Sequence, residues 1–184
     1  SNVIEKFYRS APVGITVEGS NTLTRSLIIF GQGLNKSHPF IYPILDSILS
    51  DNLNNFKNSF NSMLKHAIKM YLKSFSLRKD LNQQIIDFAN LTNFVALKAG
   101  ALKKEQMLSG DMADIFSNLY LAISVQHYHS INKSSDKLTN YIIDRLCIEN
   151  QEKINKVIDN LGYEKYLLLH LKRKPANISY NKER

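Results

Sequence analysis

Beyond residue 37, apolar positions recur at three- and four-residue intervals, the spacing of one face of an α-helix. Residues 3–10 (VIEKFYRS) read as the end of a helix. Residues 39–50 (PFIYPILDSILS) predict a short interrupted helix, which Pro43 either kinks or restarts. Residues 53–75 predict a long helix capped by Asp51 or Asn52, with Phe56, Phe60, Met63, Leu64, Ala67, Met70, Tyr71 and Leu72 at helical spacing. Residues 80–104 carry Leu81, Ile85, Ile86, Phe88, Leu91, Phe94, Val95 and Leu97, apolar nearly all round, as in the central helix of a bundle. Ser109-Gly110-Asp111 leads into a helix over 112–129 with a stripe of Ile115, Leu119, Ala122 and Ile123. Another begins at Ser134-Ser135-Asp136 and carries Leu138, Ile142, Leu146, Ile154, Val157 and Leu161. It stops at residues 160–162, where Gly162 suits a left-handed cap. A short helix over 164–171 follows. The connections are short, so neighbours run mostly antiparallel, and the fold class is an all-α helical bundle of about six or seven helices.

Composition narrows the function classes. A chain of 184 residues with 43% hydrophobic residues, seven Gly and four Pro can bury one core. No apolar run approaches the ~18 residues of a membrane span, and no secretory signal is visible. Cys147 is the single cysteine, which excludes an intramolecular disulfide. Its place in a helical pattern favours a buried structural thiol over a nucleophile. His127 and His129 lie two residues apart, on different helix faces, with no ligand partner at metal spacing, and no metal is expected. His38 and His66 read as surface or packing residues. Half of the formal +8 charge falls in residues 172–184, a pattern typical of a solvated end. No nucleic-acid module accompanies that charge, so no nucleic acid is expected as a partner.

Residues 11–33 (APVGITVEGSNTLTRSLIIFGQG) depart from the bundle pattern. Pro12 disfavours helix at Ala11, and residues 13–17 have extended character, with two β-branched residues and a glycine. The chain must turn at Glu18-Gly19-Ser20, where Gly19 allows close approaches that a Cβ forbids. Residues 21–30 are again helical, with Leu23, Leu27 and Phe30 on one face, Arg25 on another, and Ser20 or Asn21 as N-cap. A carboxylate thus precedes a buried helix on a turn kept free of bulk. On its own, Glu18 could merely complement the helix N-terminus, worth about 0.3–1 kcal/mol.

The run from Val17 to Gly33, continuing into Ser37-His38-Pro39-Phe40, closely resembles a segment of the acyl-CoA dehydrogenases, nearest to the large bacterial long-chain enzymes of fatty-acid β-oxidation. The resemblance implies that Glu18 is the catalytic base, which takes the α-proton of a fatty acyl-CoA while the β-hydrogen leaves as hydride to FAD. It places Gly19 against the substrate, and Ser20 and Thr22 at FAD-contacting positions, Thr22 with a shorter side chain than the family's usual Gln or Asn. Arg25 falls on the family's arginine seven residues after the base, an orienting or structural cation. A carboxylate with a pKa near ~4.3 is a poor base for a weakly acidic α-proton, and burial raises it toward that task. In the family, the thioester carbonyl accepts hydrogen bonds from the flavin ribityl hydroxyl and the backbone N–H of the base, which stabilise the developing enolate.

On this resemblance, residues 1–36 are the end of the catalytic core, 37–174 an additional C-terminal helical domain, and 175–184 a basic tail. The family's N-terminal helical domain and β-domain would precede residue 1, and the chain is expected to be an inactive portion of a longer enzyme. Implied partners are an acyl-CoA substrate, an electron-accepting flavoprotein and a second copy in a homodimer. The implied location is cytoplasmic or peripheral on the inner membrane in a bacterium, and mitochondrial in a eukaryote. The helix over 53–75 leaves a further choice. Lys57, Lys65, Lys69 and Lys73 form either a solvated face or a peripheral membrane contact, and the chain either serves catalysis or acts as a non-catalytic dimerisation or docking module.

Overall fold

The computed structural model describes residues 3–17, 33, 38–76, 78, 80–96 and 106–174. Among them the chain forms α1 (Val3–Val17), α2 (Ile41–Leu49), α3 (Leu53–Lys73), α4 (Leu81–Ala96), α5 (Gln106–Asn132), α6 (Asp136–Asp159) and α7 (Lys165–Leu168), then a 3-10 turn (Leu169–Leu171). No strand occurs among the described residues, and the all-α expectation holds.

Local chemistry sets several boundaries. Asn52 caps α3, its Oδ1 accepting from the Asn55 N–H at 3.0 Å, and Asp80 caps α4 by accepting from the Gln83 N–H at 2.9 Å. Asp51 sits between α2 and α3 at φ 51°, a left-handed position that Asp tolerates better than most residues. Pro43 does not interrupt α2: it lies in the first turn, where its missing N–H has no intrahelical carbonyl to meet.

Three expectations fail for identifiable reasons. Residues 13–17 are not extended, because α1 runs through Pro12 to Val17. Pro12 cannot donate to the Tyr8 carbonyl, and the exposure of this stretch leaves that carbonyl open to water. The fifth helix starts at Gln106 rather than 112. Leu108 and Met112 are buried one turn apart, and that burial outweighs the ~1 kcal/mol penalty of Gly110 in a helix. Gly162 provides no left-handed cap. Asn160 ends α6 in right-handed geometry, and its Nδ2 donates at 2.8 Å to the Lys156 carbonyl, which also accepts the Asn160 backbone N–H at 3.2 Å.

The buried apolar residues come from α4 onward: Leu91 and Val95 of α4, Met112, Ile115 and Leu119 of α5, Ile154, Val157 and Ile158 of α6, then Leu161, Leu168 and Leu171. The antiparallel pair α5–α6 is the spine, with α4 laid across both and α7 folded back on α6. Asp111 of α5 pairs with Lys156 of α6 at 2.8 Å, and Asp114 with Lys153 at 2.7 Å, which fixes the register of the pair. By contrast, α3 has no fully buried residue. It packs on α2 and α4, and its last turn reaches α7 and the 3-10 turn through Tyr71.

Candidate functional site

Glu18, Gly19, Ser20, Thr22 and Arg25 lie outside the described residues, as do the expected helix over 21–30 and the tail over 175–184. The described chain brings α1 to Val17, the residue before Glu18. Its residues 4–12 are exposed, with Glu5 and Arg9 paired at 3.0 Å one turn apart.

The most elaborate polar arrangement among the described residues lies on α4. Gln83, Asp87 and Asn90 recur at helical spacing, and all three are buried. Asp87 is only 1% exposed and pairs through Oδ2 with the Arg173 guanidinium at 2.9 Å. Its other oxygen accepts from Gln83 Nε2 at 2.8 Å. Burial pushes the Asp87 carboxyl above the usual carboxylate range, with the Gln83 hydrogen bond and the Arg173 charge acting against that rise. Arg173 also donates to the Arg78 carbonyl at 3.0 Å, and Asn155 of α6 brackets its backbone, donating to its carbonyl at 2.8 Å and accepting from its N–H at 3.3 Å. Arg173 is therefore no part of a solvated tail. A desolvated partner holds it against the bundle. Lys172 is likewise paired, with Asp159.

The seam continues at the end of α3. Asn90 Nδ2 donates to Ser74 Oγ at 3.0 Å, and Ser74 Oγ lies 2.7 Å from His170 Nε2. The His170 ring stacks on Phe75 with centroids 4.0 Å apart and meets Tyr71 edge-on, while Tyr71 OH donates to the Leu167 carbonyl at 3.2 Å. Desolvation lowers the His170 pKa. At the other end of the α3–α4 contact, His38, Phe40 and His66 form an edge-packed aromatic trio. Burial lowers the His38 pKa, a bond to Asn93 opposes the shift, and His66 adds repulsion. His38 and His66 are packing residues, as the sequence suggested.

Other chemistries find little support among the described residues. The Cys147 thiol is pushed up to about 11, first by burial and then by Asp144 and Asp80, so at neutral pH it is a protonated structural thiol. No group of three or more His, Cys, Asp or Glu side chains is placed to hold a metal. His129 does have partners that its spacing from His127 concealed. Its Nδ1 lies 3.1 Å from Ser134 Oγ and its Nε2 3.1 Å from Asp136 Oδ1. This Ser-His-Asp contact lines an open cleft at the α5–α6 turn. Asp136 is 84% exposed, so its carboxylate is solvated rather than buried behind the imidazole, and the contact ties the end of α5 to the start of α6.

The polar stripe was readable from spacing alone, since Gln83, Asp87 and Asn90 stand at i, i+4 and i+7; a reading of apolar positions passes over it. The segment from α4 through Arg173, closed by the Asp87–Arg173 pair, coincides with a family match. Residues 76–173 match the family described as acyl-CoA dehydrogenase, C-terminal, bacterial type. This chain belongs to that family. Its α4–α7 bundle is the family's C-terminal domain, and the family places the chain among FAD-dependent oxidoreductases that act on acyl-CoA. The match covers more than half of the chain and leaves out α1–α3. No solved structure matches the chain.

Proposed function

We propose that the chain is the C-terminal portion of a dehydrogenase that oxidises long-chain acyl-CoA to trans-2-enoyl-CoA, with Glu18 as the α-proton-abstracting base. The observation that carries the reading is the run from Val17 to Gly33, joined in one chain to a bundle of the acyl-CoA dehydrogenase C-terminal family. Glu18 takes the α-proton onto its carboxylate. FAD, when bound, supplies the acceptor for the β-hydride. Gly19 lets the backbone N–H of Glu18 approach the thioester carbonyl, where it stabilises negative charge on oxygen. Ser20 and Thr22 offer hydroxyls to the flavin, and Arg25 orients the loop. Partners on this reading are an electron-accepting flavoprotein and a second copy of the chain.

Steady-state kinetics on the full-length enzyme test it. Glu18→Gln should lower kcat on a long-chain acyl-CoA by about 10²–10⁴-fold, the usual contribution of a general base. Undiminished turnover would reject the assignment, and turnover confined to short-chain acyl-CoA would reject the substrate class.

A second reading, peripheral docking on an anionic membrane, draws on α3. That helix carries four exposed lysines and no carboxylate, and Leu64, Ile68 and Leu72 form an exposed apolar row beside them. No described helix is long and apolar enough to cross a membrane. Co-sedimentation with phosphatidylglycerol vesicles at low salt, lost at about 1 M salt where the Debye length is ~3 Å, is the expected result. Absence of co-sedimentation at low salt would remove this reading.

A further inference from the structure

We propose that α2 and α3 form a hinged arm, which opens from the α4–α7 bundle as one unit while the bundle stays folded. The fully buried apolar cluster is drawn from α4 onward, with no side chain from α2 or α3 in it. The arm is held to the bundle by a different kind of contact. Its fastenings are polar or aromatic: Gln83 donating to the Lys73 carbonyl at 3.3 Å, Asn90 to Ser74, Tyr71 to the Leu167 carbonyl, and His170 stacked on Phe75. These four gather at the last turn of α3 and the two residues after it, while a bond from His38 to Asn93 is a further polar fastening at the other end of the α3–α4 contact. The opposite end of the arm, residues 51–55, is exposed throughout.

The seam under the arm also buries polar atoms at a cost in hydrogen bonding. His66 Nδ1, Asn90 Oδ1 and Asn93 Nδ2 are shut away from solvent without a hydrogen-bond partner among the described residues. Opening returns each of them to water, so the closed state gives up hydrogen bonding that the open state regains. Few buried apolar contacts and unsatisfied polar atoms together are the physical marks of a unit that opens well below the global unfolding free energy. The α5–α6 spine has the opposite character, with Met112, Ile115, Ile154 and Ile158 fully buried.

Native-state hydrogen exchange on the 184-residue chain, read across a series of low urea concentrations, separates the possibilities. Amides of α3 should exchange together, at least about tenfold faster than the slowest amides of α5 and α6, and with a smaller urea dependence. Tyr71→Phe, which removes the arm's bond to Leu167, should speed α3 exchange severalfold and leave residues 112–119 unchanged. Exchange of α3 and α5 at one rate with one urea dependence, or an equal acceleration of both in Tyr71→Phe, would overturn the arm. Its failure would leave the dehydrogenase reading intact, because that rests on Glu18.

Discussion

Asp87 and Arg173 concentrate the electrostatics of the bundle in one pair. Removing the cation leaves a carboxylate buried without its counter-charge, the costly half of breaking a buried ion pair. Arg173→Ala should therefore destabilise the chain by on the order of 3 kcal/mol at neutral pH, measured by urea unfolding. The pH dependence has a definite sign. A carboxyl whose pKa is raised on folding contributes stability that is full below the ordinary carboxylate value and lost as pH rises through the raised one. Arg173→Ala raises the Asp87 pKa further, so its deficit should shrink as pH falls toward 4. A deficit independent of pH would show that Asp87 is not the group left uncompensated. His170 acts in the opposite window. Its lowered pKa contributes stability that is present above about 6.5 and lost as pH falls below it. His38 shares that direction, so His170→Phe should flatten the loss between about pH 6.5 and 5 without abolishing it, read from urea midpoints.

Among the elements, α3 and α5 look alike as sequence patterns and differ in the fold. Both show apolar residues at helical spacing, yet α5 buries Met112, Ile115 and Leu119 while α3 leaves Phe60, Leu64 and Leu72 exposed. Met112→Ala should cost about 2–5 kcal/mol, and Leu64→Ala should stay within about 0.5 kcal/mol of the parent, both from urea unfolding. Equal losses would mean that α3 belongs to the core. Periodicity made the helices legible, because each must pair an apolar stripe with something. It could not say which stripe meets another, since that depends on the whole arrangement. The cap at Asn52 was readable from local chemistry, as was the thiol at Cys147. The fate of Pro12 was not: a local preference against helix at Ala11 yields to the continuity of a helix already formed on both sides. Arg173 misled for a related reason, because its neighbours are basic and solvated while its partner lies 86 positions earlier on α4.

At the scale of the molecule, the bundle is a family domain with its own core, and the residues proposed for chemistry stand at the far end of the chain, beyond α1. The fold follows from apolar spacing over α4–α7, whereas the site was legible only through the motif at residues 17–33, since a carboxylate before a helix is by itself an ordinary dipole partner. On the proposed reading Glu18 removes the substrate's α-proton, and anaerobic single-turnover bleaching of the flavin spectrum reads that step itself. The full-length enzyme and its Glu18→Gln variant would each be loaded with FAD and mixed with a long-chain acyl-CoA. Rapid bleaching is expected in the parent and none in the variant, with FAD and acyl-CoA binding retained in both. Equal bleaching in the two proteins would contradict that role for Glu18.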